Sequence, residues 1–280
     1  QELLSFEDVK AMLRPQAQSY RGLQVVPIGL IVGSEGRYQD FSNQFLPRRD
    51  HLRNRWARVD EAHIKDIILP PISLYELGGV YFVRDGNHRV SVARSMGVEA
   101  IDAEVLALDS EIKIVPGVDA ENLRSMVIEY EYKRFLLKTN ILELFPEADL
   151  RLSSTGQYDE MLLHIMGHKY FINQGQTSEI PLSDAVRSWY ENVYLPIVEI
   201  VREEHLLERF PGRTESDLYV WIIKHWHYLK EKYGNDVTVR DAADSYTTMY
   251  GITPVRRFRD FLAGLAFWKR RDEDSSEEDK

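Results

Sequence analysis

The stretch from Asp85 to Arg89 contains the residue types that chemistry on a phosphate group requires. It reads Asp-Gly-Asn-His-Arg, so a carboxylate, a glycine, an amide, an imidazole and a guanidinium follow one another. A β-rich apolar run precedes this stretch, and a segment rich in small residues follows it. An Asp-Gly pair after a strand is typical of a tight hairpin turn, but it also suits a loop that leads into a helix.

The residues after the stretch favour the second interpretation. Val90, Ala93 and Met96 fall on one face of a helix, and the next residue is a glycine, which often terminates one. The pattern therefore predicts a strand, a glycine-containing loop and a helix, in that order. Either Asp85 or Asn87 is the predicted cap of this helix.

A helix start of this kind attracts anions, because its first N–H groups lack partners inside the helix and carry partial positive charge. Gly86 would let an anion approach the backbone closely, and His88 and Arg89 would add donors and charge. Cations at a helix start oppose the dipole, so their presence is easier to explain if an anion binds. Asp85, at the end of the strand, could hold Mg²⁺ or act as a general base.

The segments around this loop predict a mixed α/β region. Residues 5–14 predict a short helix capped by Ser5, and residues 23–32 predict a strand that Pro27 breaks or places at an edge. Two β-rich runs joined by a Gly-Gly pair, just before the loop, predict a hairpin. Apolar and acidic residues alternate over residues 101–107, which predicts a half-buried strand.

The second half of the sequence predicts helices almost throughout, as in a small bundle. Thr214 and Thr238 are predicted N-caps, and each is followed three residues later by an aspartate. Ser183 is also a predicted N-cap. Pro196 predicts a kink, and residues 148–154 predict one short strand. Aromatic residues near helical spacing are predicted to form the bundle core: Trp189, Tyr190, Tyr194, Trp221, Trp226 and Tyr228.

We therefore predict an α+β protein with two domains and a tail. The mixed α/β domain covers residues 1–115, and a mostly helical domain covers residues 116–270. Residues 271–280 are acidic and polar, which is typical of a disordered tail. Further helices are predicted over residues 46–67 and from Thr253 onward.

Composition narrows the classes of function. The chain has no cysteine, which excludes disulfides, thiolate nucleophiles and cysteine-based metal sites. No apolar run reaches the about 20 residues that a membrane helix needs. Acidic residues stand where a secretory signal would be basic, so we expect a cytoplasmic protein. The net charge of -10 disfavours DNA as the main partner, although five arginines fall within residues 48–58, where they predict a solvated helix face or a basic wall.

Two other groups of residues invite a functional interpretation, and we discount both. His164 and His168 are four apart, as metal ligands on a helix can be, but no glutamate follows the first of them. Arg213 precedes a predicted helix start and could contact a second anion, although a loop arginine is more often solvated.

The motif and its surroundings resemble a known family. The sequence LPPISLYELGGVYFVR followed by DGNHRVSVARSMG is similar to the phosphate-binding box of the ParB/sulfiredoxin superfamily, over about residues 23–108. The resemblance implies a ParB/sulfiredoxin-like mixed α/β domain. It also implies that the loop Gly86, Asn87, His88 and Arg89 cradles the phosphates of a nucleotide at the helix start.

Three branches of this superfamily suggest different activities. Sulfiredoxins carry a reactive cysteine where this chain has Asn87, so repair of sulfinic acids is excluded. ParB proteins bind CTP and DNA, but no helix-turn-helix with a tight turn stands out behind the domain here. Free-serine kinases resemble this chain in their Asp-Gly-x-His-Arg box, which assigns a catalytic role to Asp85 and to Glu35. Arg37, near Glu35, could reach a phosphate.

These observations lead to one expectation and two alternatives. We expect the loop to bind a nucleotide (ATP, ADP or CTP) together with Mg²⁺ at Asp85. Such a site is compatible with NTP hydrolysis or with phosphoryl transfer to a small-molecule acceptor, but the sequence does not establish that the protein is an enzyme. The first alternative is a non-enzymatic DNA-binding regulator of the ParB type. The second is a scaffold that has kept the fold and lost the ligand. Oligomerisation is compatible with each of them. The helical half also resembles a bacterial domain that brings no activity with it.

Overall fold

The computed structural model describes residues 3–42, 44–48, 69–174 and 176–252. The chain forms two compact units, residues 1–131 and 132–280. The first unit is mixed α/β and the second is helical over its described residues, so the predicted fold class is confirmed. The domain limits at residues 115 and 270 stay predictions. The predicted helices over 46–67 and from Thr253, and the predicted tail, lie outside the described residues.

The first unit is built on a six-stranded mixed sheet with the strand order β1-β3-β5-β4-β6-β2. Its strands are β1 Leu4–Ser5, β2 Gln18–Pro27, β3 Ile31–Ser34, β4 Ile72–Leu77, β5 Val80–Asp85 and β6 Ala100–Leu108. Its helices are α1 Phe6–Leu13, α2 Asn87–Ser95 and the first part of α3 Ala120–Thr139. Ser5 caps α1 by accepting from the N–H of Asp8, as predicted.

The predicted hairpin is confirmed, because β4 and β5 pair antiparallel around Gly78 and Gly79. Both glycines have positive φ, at 65° and 85°. A two-residue turn of this kind needs left-handed backbone at both positions, which glycine adopts without strain. Leu77 and Val80, which flank the turn, are fully buried and pair with each other, so the turn and the apolar pattern fix the same register.

The single strand predicted over residues 23–32 is in fact two strands that lie far apart in the sheet. Pro27 ends β2, a short 3₁₀ turn follows, and β3 begins at Ile31. β2 pairs antiparallel with β6 at one edge, whereas β3 pairs parallel with β5 near the other. The predicted break at Pro27 and the edge position are therefore confirmed, and the continuity of the strand is wrong. A proline cannot donate to a sheet ladder, which is why the pairing stops there.

Apolar side chains cover both faces of the sheet. Phe82 belongs to a core that includes Phe6 of α1 and Leu123 of α3. The next residue, Val83, points to the opposite face and belongs to a second core that includes Val90 of α2. Strands buried on both faces cannot shift register without exposing one of these cores, so the ends of the central strands are held in place.

The second unit contains helices joined by short connections. Its described helices are the end of α3, α4 Ile141–Leu144, α5 Gln157–Asn173, α6 Leu182–Trp189, α7 Leu195–Glu203, α8 Glu215–Tyr233 and α9 Val239–Tyr250. The predicted caps of α8 and α9 are confirmed: Thr214 and Thr238 form reciprocal capping boxes with Asp217 and Asp241. Of the described helices, none has the length and apolar character of a membrane span.

Two sequence predictions about this unit are wrong. Residues 148–154 form no strand, because their backbone is fixed by local turns and by side chains of neighbouring helices. Ser183 lies inside α6, which begins after Pro181 instead. A π-helical turn over Tyr190–Tyr194 lies between α6 and α7, and Pro196, for which the sequence predicts a kink, follows this turn at the beginning of α7.

The aromatic prediction is confirmed for most of its residues. Trp189, Tyr190 and Tyr194 are buried, and Trp221 and Trp226 are partly buried. Tyr228 is exposed, so its assignment to the core is wrong.

Gly33 in β3 is a packing constraint that the sequence does not reveal. A Cβ at this position would lie 2.5 Å from Cδ1 of Phe82 and would overlap the carbonyl oxygen of Leu4. Neither atom can move away easily, because Phe82 is fully buried and Leu4 pairs with Gly33 in the sheet. Glycine at this position therefore lets β1, β3 and β5 approach one another.

We expect Gly33→Ala to destabilise the protein by about 1–3 kcal/mol, the usual cost of overpacking a core. Gly29→Ala is the matched control, because a Cβ at Gly29 has nothing within 4 Å and its φ is not positive. The control should be neutral or slightly stabilising. Urea unfolding of both variants measures the difference, and equal stabilities would contradict the packing role of Gly33.

Candidate functional site

The candidate site lies where two parallel strands end. β3 ends at Ser34 and β5 ends at Asp85. Because the two strands are parallel neighbours, their carboxyl ends lie at the same end of the sheet. The N–H of Glu35 donates to the carbonyl of Val83 over 2.9 Å, and Oγ of Ser34 donates to the same carbonyl over 3.2 Å. These bonds hold Glu35 beside the end of β5. Crevices at the carboxyl ends of parallel strands are the usual ligand sites of open α/β sheets.

The predicted order of strand, turn and helix is confirmed at Gly86. This residue is the N-cap of α2, with φ at 106° and ψ at 21°, and no side chain caps the helix. The prediction that Asp85 or Asn87 is the cap is therefore wrong. A Cβ on Gly86 would lie 2.5 Å from Cγ2 of Ile72 and 3.2 Å from Nε of Arg89, so glycine is required here by packing as well as by backbone conformation.

One cleft brings together every site residue that the sequence predicts. It has a volume of about 350 Å³. Its lining consists of Glu35, Arg37, Leu69, Pro70, Arg84, Asp85, Gly86, Asn87, His88 and Arg89. The helix start, three arginines and two carboxylates thus surround the same space. Chain positions that are about fifty residues apart in sequence meet there because β3 and β5 are neighbours.

Arg89 makes structural contacts rather than extending into the cleft. Its Nη1 donates to the carbonyls of Pro70 and Pro71, the latter over 3.0 Å. Its Nη2 donates to Oδ2 of Asp85 over 2.6 Å, and only 15% of its side chain is exposed. The guanidinium therefore ties the segment before β4 to α2 and to the end of β5. Arg89 shapes the site, and its charge reaches the cleft from one wall.

The two residues between Gly86 and Arg89 are buried. Asn87 is 7% exposed and His88 is 6% exposed. The imidazole of His88 packs edge-on against the ring of Phe41, with 5.4 Å between ring centroids. Oδ1 of Asn87 is buried and has no hydrogen-bond partner in the part of the chain that the structure describes. Both side chains are therefore largely shielded from solvent, although both residues line the cleft.

Exposed charged side chains line the mouth of the cleft. Arg37 and Arg84 are exposed cations, and Asp85 is an exposed carboxylate. Arg84 lies over the ring of Tyr75, 5.7 Å from its centroid. Sequence analysis did not single out Arg84; its place directly before Asp85 at the end of a strand was the available signal. Arg84 and Arg37 are the cations best placed to meet a ligand from solvent.

Glu35 has a defined partner in the sheet. The hydroxyl of Tyr75 donates to Oε1 of Glu35 over 3.5 Å, a long hydrogen bond. Burial raises the pKa of Tyr75, the negative charge of Glu35 raises it further, and Arg84 opposes this. The tyrosine therefore stays a neutral donor to Glu35.

The residues at this site fit a cation that arrives with a phosphate. No group of three or more carboxylate or histidine side chains, among the described residues, is arranged as a metal site. Mg²⁺ commonly needs only one or two carboxylates, with waters and phosphate oxygens as its other ligands. Asp85 has one oxygen engaged by Arg89, and Glu35 is the second carboxylate of the cleft.

The histidine pair discounted above has other partners. Nδ1 of His164 lies 3.1 Å from the hydroxyl of Tyr219, and Nε2 of His168 lies 3.0 Å from Oγ of Ser188. Nε1 of Trp189 donates to the same Tyr219 hydroxyl over 2.9 Å, so that hydroxyl donates its own hydrogen to His164. Burial lowers the pKa of His164 to about 4.

Arg213, the other discounted residue, is also engaged. Its guanidinium donates to the hydroxyls of Ser153 and Ser154, over 2.9 Å and 3.0 Å. It also lies over the ring of Trp221, at 5.2 Å from the centroid.

Comparison with solved structures finds sulfiredoxin and ParB N-domains. The chain is similar to sulfiredoxin from Arabidopsis thaliana, with 17% identity over 30% of this chain and 82% of that chain, at a TM-score of 0.24. It is similar to two structures of a pNOB8-like ParB N-domain, both at 11% identity. One covers 84% of this chain and 100% of that chain at a TM-score of 0.24. The other covers 88% and 91% at a TM-score of 0.23.

TM-scores this low support no conclusion about function, and the fold class rests on the strands and helices described above. No protein-family model matches the chain, and no curated protein matches it significantly.

We expect Gly86→Ala to lower the free energy of unfolding more than Gly97→Ala. Both glycines have positive φ, but a Cβ at Gly97 has nothing within 4 Å, whereas one at Gly86 meets Ile72. The Gly97 variant should lose about 1–2 kcal/mol from backbone strain alone. The Gly86 variant should lose about 1–3 kcal/mol more from overpacking. Urea unfolding compares them, and a smaller loss for Gly86→Ala would show that Ile72 does not constrain the turn.

We also expect stability to fall as pH is lowered from about 6.5 to about 4, in part because of His164. Its pKa is lower in the folded state than in the unfolded state, so the unfolded state binds the proton more readily. The contribution of neutral His164 to the free energy of unfolding is therefore complete above about pH 6.5. As pH falls below this value, the free energy of unfolding decreases by at most about 1.4 kcal/mol per pH unit because of this residue. His164→Asn keeps an acceptor for Tyr219 and cannot titrate, so its unfolding free energy should depend less on pH. Identical pH profiles would refute this assignment.

Proposed function

We propose that the cleft at the start of α2 binds the phosphates of a nucleotide, with ATP, ADP and CTP as the candidates. The observation that carries this proposal is the convergence of all seven predicted site residues on one cleft at an uncapped helix start. A helix of nine residues whose start has no capping side chain offers N–H donors and partial positive charge to an anion.

Each group in the cleft then has a distinct part in binding. The backbone at Gly86 and Asn87 would donate to phosphate oxygens, as helix starts do elsewhere. Arg37 and Arg84 would neutralise phosphate charge from the mouth of the cleft. Arg89 would act chiefly by holding the turn in place, because its donors already meet the carbonyls of Pro70 and Pro71.

The two carboxylates extend the proposal to catalysis of phosphoryl transfer or NTP hydrolysis. Phosphoryl transfer depends mainly on positioning and on neutralisation of charge, both of which this cleft could supply. Asp85 would hold Mg²⁺ together with phosphate oxygens, and the ion would offset the negative charge of this carboxylate. The carboxylate that does not bind the ion would accept the proton of an attacking water or hydroxyl group. The acceptor would be water or a small molecule.

The nucleotide proposal is tested by calorimetry and thermal shift with ATP, ADP and CTP, with and without Mg²⁺. Binding should raise the melting temperature of the wild-type protein. Arg37→Ala should weaken binding about tenfold, because it removes one charged donor. Arg124→Ala is the matched control: Arg124 is also exposed, lies in α3 and does not line the cleft.

Other outcomes would count against the proposal. Wild-type protein that no nucleotide stabilises, with or without Mg²⁺, would refute it. Equal losses of affinity in both arginine variants would place the nucleotide elsewhere. Binding to duplex DNA that weakens steeply with salt, without any response to nucleotides, would favour the ParB-type regulator instead.

A further inference from the structure

β2 forms one edge of the sheet in the first unit and is the longest of the six described strands. It spans Gln18–Pro27 and pairs with β6 alone, so no described strand bonds to its outer side. Edge strands of soluble proteins are usually short, or carry prolines and lysines that prevent pairing. β2 carries one charged residue, Arg21, and its proline is at its last position. Within the described part of the chain, a row of backbone N–H and C=O groups is therefore left for another strand.

A β-bulge gathers apolar side chains on one face of this edge. The register with β6 shifts between Tyr20 and Gly22, so Arg21 is an extra residue. Without the bulge, Tyr20 would point to the opposite face from Leu23 and Val25. With it, all three lie on one face, and each is more than 60% exposed. Exposed apolar rows beside an open sheet edge mark sites of protein association.

We infer that β2 pairs antiparallel with β2 of a second copy of this chain. The unpaired N–H and C=O groups of an open edge can pair with those of another extended strand. A two-fold axis across the edge would set each apolar row against the same row of the second copy. The two six-stranded sheets would then form one continuous sheet.

Charge complementarity selects a second copy as the partner. Asp102 of β6 is the register partner of Val25 near one end of β2, and Glu104 is the partner of Leu23. Both acidic residues are exposed on the same face as the apolar row, and Arg21 lies toward the other end of β2. Antiparallel pairing reverses one strand, so Arg21 of each copy comes to the end of the other copy's β2 that pairs with Asp102, which lies one strand further in. The same surface thus supplies both the cation and the anion.

Analytical ultracentrifugation of the full chain over a wide range of protein concentration tests this inference. The wild-type protein should dimerise, and Leu23→Lys should raise the dissociation constant by about tenfold or more, because it buries a charge in the apolar row. Leu163→Lys is the matched control. Leu163 in α5 is 65% exposed, against 64% for Leu23, and should tolerate lysine without effect on the dimer.

Charge exchange tests the antiparallel arrangement. Arg21→Glu and Asp102→Arg should each weaken the dimer several-fold, and the double variant should recover most of the wild-type affinity. Circular dichroism checks that every variant is folded. A protein that stays monomeric at all concentrations, a dimer that Leu163→Lys dissociates as readily as Leu23→Lys, or a double variant no better than its parents would each overturn the inference.

Discussion

The parallel pairing of β3 with β5 is the constraint on which the candidate site depends. It brings the carboxyl ends of the two strands together at one end of the sheet, and Glu35 and Asp85 with them. The pairing is possible because Gly33 has no side chain where Phe82 packs. The apolar cores on both faces then hold the register. The sheet thus sets the position of both carboxylates, since Asp85 ends β5 and Glu35 directly follows β3.

The turn into α2 adds the second part of the site, and its residues are mostly used to build it. Gly86 fits against Ile72, His88 packs on Phe41, and Arg89 ties the segment before β4 to the helix. These contacts fix the direction in which the open helix start points. A rigid turn keeps its N–H donors in place before an anion arrives, so less ordering is needed on binding. The exposed positive charges at the mouth of the cleft are those of Arg37 and Arg84.

The second unit is stabilised in a different way. Its two clearest helix starts are closed by capping boxes at Thr214 and Thr238, in contrast to the open start of α2. Its core joins aromatic packing to buried hydrogen bonds, as where Tyr219 accepts from Trp189 and donates to His164. Satisfied polar groups of this kind stabilise one arrangement of a core.

The sequence alone determined the features that depend on near neighbours. The hairpin at Gly78-Gly79, the strand, turn and helix around Gly86, and the caps at Thr214 and Thr238 follow from backbone preferences over a few residues. Only the tertiary structure decided that residues 23–32 divide between opposite sides of the sheet. It alone also showed that Glu35 lies beside Asp85 and that Arg89 is used to bind the carbonyls of Pro70 and Pro71. Strand pairing and side-chain partners depend on residues far apart in the chain, so no short sequence pattern can specify them.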